Sequence, residues 1–106
     1  MRFLVYASTA IVVGLTCGAI AASKSVYQHG RAFSEELVTV KANEPLTFVN
    51  DDTVPHNIYS PTRGNEFDLG SQAPGIATDV QFTEVGEVDV RCAIHPRMTM
   101  RVRVVE

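Results

Sequence analysis

The chain has 106 residues, of which 45% are hydrophobic and 20% charged, and its formal net charge is −3. This length fits one small domain with a modest core. The acidic balance argues against nucleic acid as a partner, because a phosphate backbone attracts basic surfaces.

The N-terminus has the pattern of an export signal. Arg2 precedes Phe3–Ala22, a stretch of 20 residues without a charge. Its small-residue end contains Ala19-Ile20-Ala21, which matches a signal-peptidase site. We therefore predict a signal peptide over 1–21 and a periplasmic mature domain over 22–106. The alternative is an uncleaved anchor, because 20 apolar residues can span a bilayer and would hold the domain facing the periplasm.

The predicted mature domain carries 8 Lys and Arg against 12 Asp and Glu, a net charge of about −4. It also has a single thiol, Cys92, because Cys17 lies in the signal segment. A lone Cys in an oxidising compartment is a buried inert residue, a reactive thiol, an intermolecular bridge or a metal ligand.

Short alternating segments between turn-forming residues predict strands, and no segment has the period of an amphipathic helix. Leu37–Lys41 and Leu46–Val49 flank a turn at residues 42–45. Thr78–Phe82 alternates, and residues 61–75 are interpreted as a loop with one edge strand around Phe67-Asp68-Leu69. The fold class is therefore predicted to be all-β.

The last two predicted strands place sulfur atoms on the inner face. Val88, Val90 and Cys92 share one face, since strand side chains alternate with period two. Met98 and Met100 share the inner face of the final strand. A thiolate and a thioether at adjacent strand ends can meet at one end of a sandwich.

The segment from Cys92 to Met98 also contains His95, so it offers a thiolate, an imidazole and a thioether within seven residues. Copper favours this donor set, in a trigonal arrangement of two His and one Cys with a weak axial Met. His56, in the segment Pro55-His56-Asn57, is the candidate for the second His. Taken singly, His56 reads as a structural His and Met98 as core filler; together they predict a metal site.

These residues resemble the cupredoxins, the small blue copper proteins. The matching motifs are Phe48-Val49-Asn50 with Pro55-His56-Asn57, the turn at residues 82–86, and Cys92-x-x-His95-Pro96-x-Met98. The resemblance covers essentially the whole mature chain. The two-residue spacing between His95 and Met98 is similar to amicyanin, whereas plastocyanins and pseudoazurins use four.

The resemblance implies a Greek-key β-sandwich holding one type 1 copper ion, with His56, Cys92, His95 and Met98 as ligands. It also implies that the Asn57 N–H donates to the Cys92 sulfur. The implied activity is one-electron transfer, not enzyme catalysis, by a monomer that meets redox proteins such as a dehydrogenase or cytochrome near His95. Arg97 stands where amicyanins have an aromatic residue, which makes this rim more polar.

Other readings stay open. A periplasmic copper-delivery protein would use the same ligands, and a metal-free adhesion sandwich would leave the inward Cys92 unexplained. A copper oxidase or reductase is disfavoured, since about 85 residues hold one domain of this kind. His29 is expected on the surface, and Asp51 and Asp52 at a solvated loop tip. Arg91, Arg101 and Arg103 are expected on an outer sheet face.

Overall fold

The computed structural model describes residues 24–106, which form nine strands and no helix. In chain order these are β1 (Lys24–His29), β2 (Ala32–Phe33), β3 (Leu37–Lys41), β4 (Pro45–Asn50), β5 (Ile58–Ser60), β6 (Phe67–Asp68), β7 (Ala77–Gln81), β8 (Gly86–Cys92) and β9 (Thr99–Val105). They make two sheets, and the all-β Greek-key sandwich predicted from the sequence is confirmed.

The smaller sheet has the strand order β2-β1-β4-β7. Strand β1 runs parallel to β4 and is joined to β2 by a tight turn. Gly30 and Arg31 both have positive φ there, 59° and 56°. Two consecutive positive φ values are the signature of a type I′ hairpin turn, which matches the twist of antiparallel strands. This β1–β2 hairpin lies beside the end of β4.

The larger sheet has the order β3-β9-β8-β5-β6. Strands β8 and β9 are antiparallel, with Val90 opposite Met100 and Val88 opposite Val102. On the outer side the same pairing places Glu87 opposite Arg103 and sets an exposed row of charges. This confirms the predicted outward direction of Arg91, Arg101 and Arg103.

The core fills the space between the inner faces of the two sheets. Its members are the buried apolar residues Val26, Val40, Leu46, Phe48, Ile58, Val80, Phe82, Val88, Val90, Cys92, Met98, Met100, Val102 and Val104. The Phe67 ring contacts Phe48 and Phe82, with ring centroids 5.9 and 5.8 Å apart. Side chains from both sheets thus meet under the edge strand β6, and the apolar burial stabilises the sandwich.

Strand β3 has the predicted bounds, and the predicted strands at β4, β7, β8 and β9 are each confirmed to within two residues. The edge strand expected within residues 61–75 is β6. Strands β1, β2 and β5 were not predicted. The signal-peptide prediction concerns residues 1–21 and lies outside the described residues. Within residues 24–106, no helix is long and apolar enough to cross a membrane.

Candidate metal centre

Three separate segments bring the candidate ligands to one end of the sandwich. His56 lies between β4 and β5, Cys92 is the last residue of β8, and His95 lies in the β8–β9 loop. Strand β5 begins two residues after His56 and pairs with β8, where Ile58 is the partner of Cys92. Pairing of these two strands therefore brings together residues that are distant in the sequence.

Three donor atoms form a small triangle. Cys92 Sγ lies 3.7 Å from His56 Nδ1 and 3.8 Å from His95 Nδ1, and the two nitrogens are 3.2 Å apart. Given those three sides, a point in the plane of the atoms is about 2.1 Å from each, close to the bond lengths that first-row metal ions make to imidazole and thiolate. The triangle has the dimensions of a trigonal His₂Cys site.

The Cys92 sulfur is buried and receives a backbone hydrogen bond. The Asn57 N–H donates to Sγ at 3.4 Å, as the resemblance implied. The Asn57 side chain in turn donates to Asp68 Oδ1 at 2.7 Å, and Gly70 N–H donates to the same oxygen. These two bonds, the Gly70 bond foremost, lower the pKa of Asp68 below its ordinary value. The carboxylate thus fixes the segment that presents the donor to sulfur.

His56 is held by its backbone as well as by its ring. Its N–H donates to the Gln72 carbonyl at 3.1 Å, and the Gln72 N–H donates back at 2.7 Å. The Asn50 side chain also donates to the Gln72 carbonyl, at 2.8 Å. The residue is fully buried, so its ring has little freedom to turn.

The outer nitrogen of His56 contacts Asp52, whose Oδ2 lies 2.9 Å from Nε2. The side chain of Asp52 is only 9% exposed, whereas that of Asp51 is 69% exposed. The expectation of a solvated loop tip was therefore right for Asp51 and wrong for Asp52. Hydrogen bonds from Arg31 N–H, the His56 ring and Thr53 N–H, in that order of weight, hold the pKa of Asp52 well below its usual range.

His95 lies at the solvent side of the triangle. It is partly buried, while Ile94 is 50% exposed and Pro96 and Arg97 are exposed. The loop is cross-braced: Met98 N–H donates to the His95 carbonyl at 2.9 Å, and Ala93 N–H donates to the Asn57 carbonyl at 2.9 Å. A rim of one apolar and one cationic side chain thus surrounds the His95 side of the centre.

The register of β8 and β9 separates the two methionines. The Cys92 N–H donates to the Met98 carbonyl at 3.2 Å, so Met98 lies level with Cys92. Met100 lies opposite Val90, two residue pairs further from the site end of the strands. Both are buried, at 2% and 3% exposure. The register favours Met98 as the thioether nearest the three donors.

The family whose model matches the sequence has the same chemistry. The model of copper binding proteins of the plastocyanin/azurin family matches residues 20–105. The chain belongs to the plastocyanin/azurin family. The family binds one copper ion, and the donor set of this cupredoxin fits it, because two imidazoles with a thiolate are the equatorial ligands that copper takes in such sites.

Solved structures of similar fold come from several cupredoxins. A purple cupredoxin from Nitrosopumilus maritimus is 23% identical over 78% of this chain and 100% of its own, with a TM-score of 0.70. A reduced variant of amicyanin is 23% identical over 80% of this chain and 84% of its own, with a TM-score of 0.73.

A copper-containing nitrite reductase from Thermus scotoductus SA-01 is 24% identical over 79% of this chain, with a TM-score of 0.72. This chain spans only 22% of the length of that reductase. No curated protein matches by sequence. At these identities the structural likenesses establish the fold alone.

Proposed function

We propose that this cupredoxin carries single electrons between redox partners, using one copper ion held by His56, Cys92, His95 and Met98. The observation that carries the proposal is the triangle of His56 Nδ1, Cys92 Sγ and His95 Nδ1 at one end of the sandwich. Copper bound there would gain and lose one electron. No catalytic role is proposed.

In this proposal some residues hold the copper ion in place, and others tune its potential or give the electron a way out. Cys92 supplies the thiolate, and the Asn57 N–H disperses part of its charge. His56 supplies a buried nitrogen that does not need to move. Met98 supplies a weak axial contact that tunes the potential. His95, at the partly exposed edge, offers the shortest way for an electron to leave.

The surface around His95 is suited to short-lived contacts with redox partner proteins. Ile94 gives a small apolar contact, and Arg97 adds a positive charge without an ion-pair partner among the described residues. A charge at the edge of such a contact acts mainly on the encounter rate. We propose a monomer in the periplasm that meets dehydrogenases or cytochromes through this rim.

Copper delivery is the competing function, and it requires a site that opens. Here the β8–β9 loop is braced by hydrogen bonds of Ala93 and Met98, and Pro96 restricts its backbone. His56 is sealed from solvent. Because metal affinity is coupled to the order of the ligands, this arrangement favours retention.

The test compares electron exchange with metal release. The copper-loaded protein is expected to give a reversible one-electron voltammogram and to lose Cu(I) slowly to a chelator. Replacing Arg97 with Gln is expected to change the salt dependence of electron transfer while leaving the voltammogram reversible. Rapid Cu(I) transfer to an acceptor protein with irreversible voltammetry would establish delivery instead.

A further inference from the structure

We propose that Asp52 is a positioning residue for the metal centre: it fixes the tautomer and direction of His56 and favours the oxidised state of the bound metal. Its effect on a metal rests on the proposed function. Its effect on the His56 ring does not, because the contact is present in the protein alone.

The contacts of Asp52 determine which ring nitrogen of His56 carries the proton. An ionised carboxylate has no proton to give, so at 2.9 Å the Nε2 of His56 must be the donor. A neutral ring protonated at Nε2 has its lone pair on Nδ1. That is the atom that faces Cys92 Sγ and His95 Nδ1. Asp52 therefore selects the tautomer that a metal ion can bind.

The carboxylate form of Asp52 is itself required by its other donors. The Arg31 N–H donates to Oδ2 at 2.9 Å, and the Thr53 N–H donates to Oδ1 at 2.9 Å. Both oxygens thus accept, and Oδ2 accepts twice. An amide in this place has one oxygen and an NH₂ group, so it would leave at least one of the three donors facing another donor.

The β1–β2 hairpin places one of those donors. Arg31 has a φ of 56°, and this left-handed conformation belongs to the turn that directs its N–H at Asp52. The same hairpin holds the neighbouring residue: Asp51 N–H donates to the Gln28 carbonyl at 3.0 Å, and His29 Nδ1 donates to the Asp51 carbonyl at 2.6 Å. The position of Asp52 is therefore fixed from a strand outside the ligand segments.

The negative charge of Asp52 also affects the relative stability of the oxidised and reduced states of a bound copper ion. A carboxylate bonded to a ligand makes that ligand more basic. Its charge interacts more favourably with Cu(II) than with Cu(I), because the oxidised ion has one more positive charge. The low exposure of Asp52 limits screening by solvent. Asp52 therefore lowers the reduction potential of the centre.

The experiment pairs Asp52→Asn with Asp51→Asn, which removes the same charge from an adjacent, largely exposed side chain. Metal-free protein is examined first by ¹⁵N NMR of the His56 ring. The unaltered chain and Asp51→Asn are expected to show the Nε2–H tautomer, and Asp52→Asn a mixture of tautomers. Arg31→Gly keeps both the N–H and the positive φ, so it is expected to keep the Nε2–H form.

Copper binding and the potential are measured on the same proteins. Loss of an outer hydrogen-bond partner typically weakens metal binding about 10–100-fold, so Asp52→Asn is expected to lose Cu(II) affinity in that range. Its potential is expected to rise by several times the shift of Asp51→Asn. Circular dichroism and thermal unfolding of each variant show whether the sandwich is intact, and Asp52→Glu is expected to restore part of both properties.

An unchanged His56 tautomer in folded Asp52→Asn would overturn the proposal, as would equal potential shifts in the Asp51 and Asp52 variants. If the chain bound copper without exchanging electrons reversibly, electron transfer would fail as its function, while the NMR and affinity results would still decide the role of Asp52. If Asp52→Asn did not fold, Asp52→Glu would be used in its place. Failure of folded Asp52→Glu to keep the Nε2–H form of His56 would also contradict the proposal.

Discussion

The two histidines of the metal centre have unlike surroundings. His56 is fully buried, exchanges two backbone hydrogen bonds with Gln72 and donates its outer ring N–H to Asp52. His95 lies on a loop between exposed neighbours and is itself only partly buried. The centre therefore has one side anchored in the sandwich and one side facing solvent.

The two histidines differ in rigidity and in access to the surface, which are two separate requirements of electron transfer. Electron transfer favours a geometry that changes little between oxidation states, which calls for a rigid ligand. Exchange with a partner protein calls for a ligand near the surface. For the proposed electron transfer, the anchored side would meet the first requirement and the loop side the second.

The largest expected effect comes from removing the side chain of each histidine in turn. His95→Gly removes a ligand at the surface, so free imidazole added to the copper-loaded variant is expected to enter and restore the visible spectrum. His56→Gly leaves a gap closed off from solvent, and restoration is expected to need a much higher imidazole concentration. Titration of both variants followed by visible absorption makes the comparison.

Restoration of both variants at the same imidazole concentration would show that the two sides are equally accessible. Restoration of His56→Gly alone would reverse the assignment of anchored and open sides.

A smaller effect is expected at the methionines, which lie between the two sides. Met98→Leu is expected to raise the reduction potential and alter the spectrum, because it removes a thioether level with Cys92. Met100→Leu is expected to leave both unchanged and to alter stability by less than about 1.5 kcal/mol, as for similar volume-conserving core changes. Voltammetry and thermal unfolding are measured on each variant. A spectral change confined to Met100→Leu would move the axial role to that residue.

The smallest effect is expected far from the centre, on the outer face of the larger sheet. The hydrogen bond from Arg103, with the charges of Arg103 and Arg101, lowers the pKa of Glu87. A lowered pKa contributes stability that is present above the ordinary carboxyl value near 4.5 and is lost as the pH falls through the folded value.

Glu87→Gln is therefore expected to lower the melting temperature slightly at pH 7 and not in strong acid, where both proteins carry a neutral group. Because the pair is exposed, the effect should shrink in high salt. Its reduction potential is expected to equal that of the unaltered chain. A shift comparable to that of Asp52→Asn would mean that the potential reports total charge and not the contact with His56.

The strands that the sequence predicted share a visible alternation. In β8 and β9 every second residue is apolar, and the burial follows that pattern without exception from Glu87 to Val104 within the strands. From this alternation the inward direction of Cys92 could be predicted, and with it one end of the site. The distances between Cys92, His95 and His56 required the pairing of β5 with β8, which no local pattern specifies.

The missed features have physical reasons too. Strand β1 buries Val26 and Gln28, and a polar residue on the inner face hides the alternation. Strand β5 has three residues, too few for a period to show. The burial of Asp52 depends on the β1–β2 hairpin, so its adjacency to the exposed Asp51 was misleading. Its spacing of four residues before His56 was the one local signal that could have identified the contact.

The assignment of the metal centre depends above all on whether Cys92 binds copper as a thiolate. On addition of Cu(II), the purified protein is expected to develop an intense visible charge-transfer band, and Cys92→Ser is expected to abolish it while keeping the fold. A protein that stays colourless after copper loading, with a fully titratable Cys92 thiol, would contradict the assignment of the metal centre.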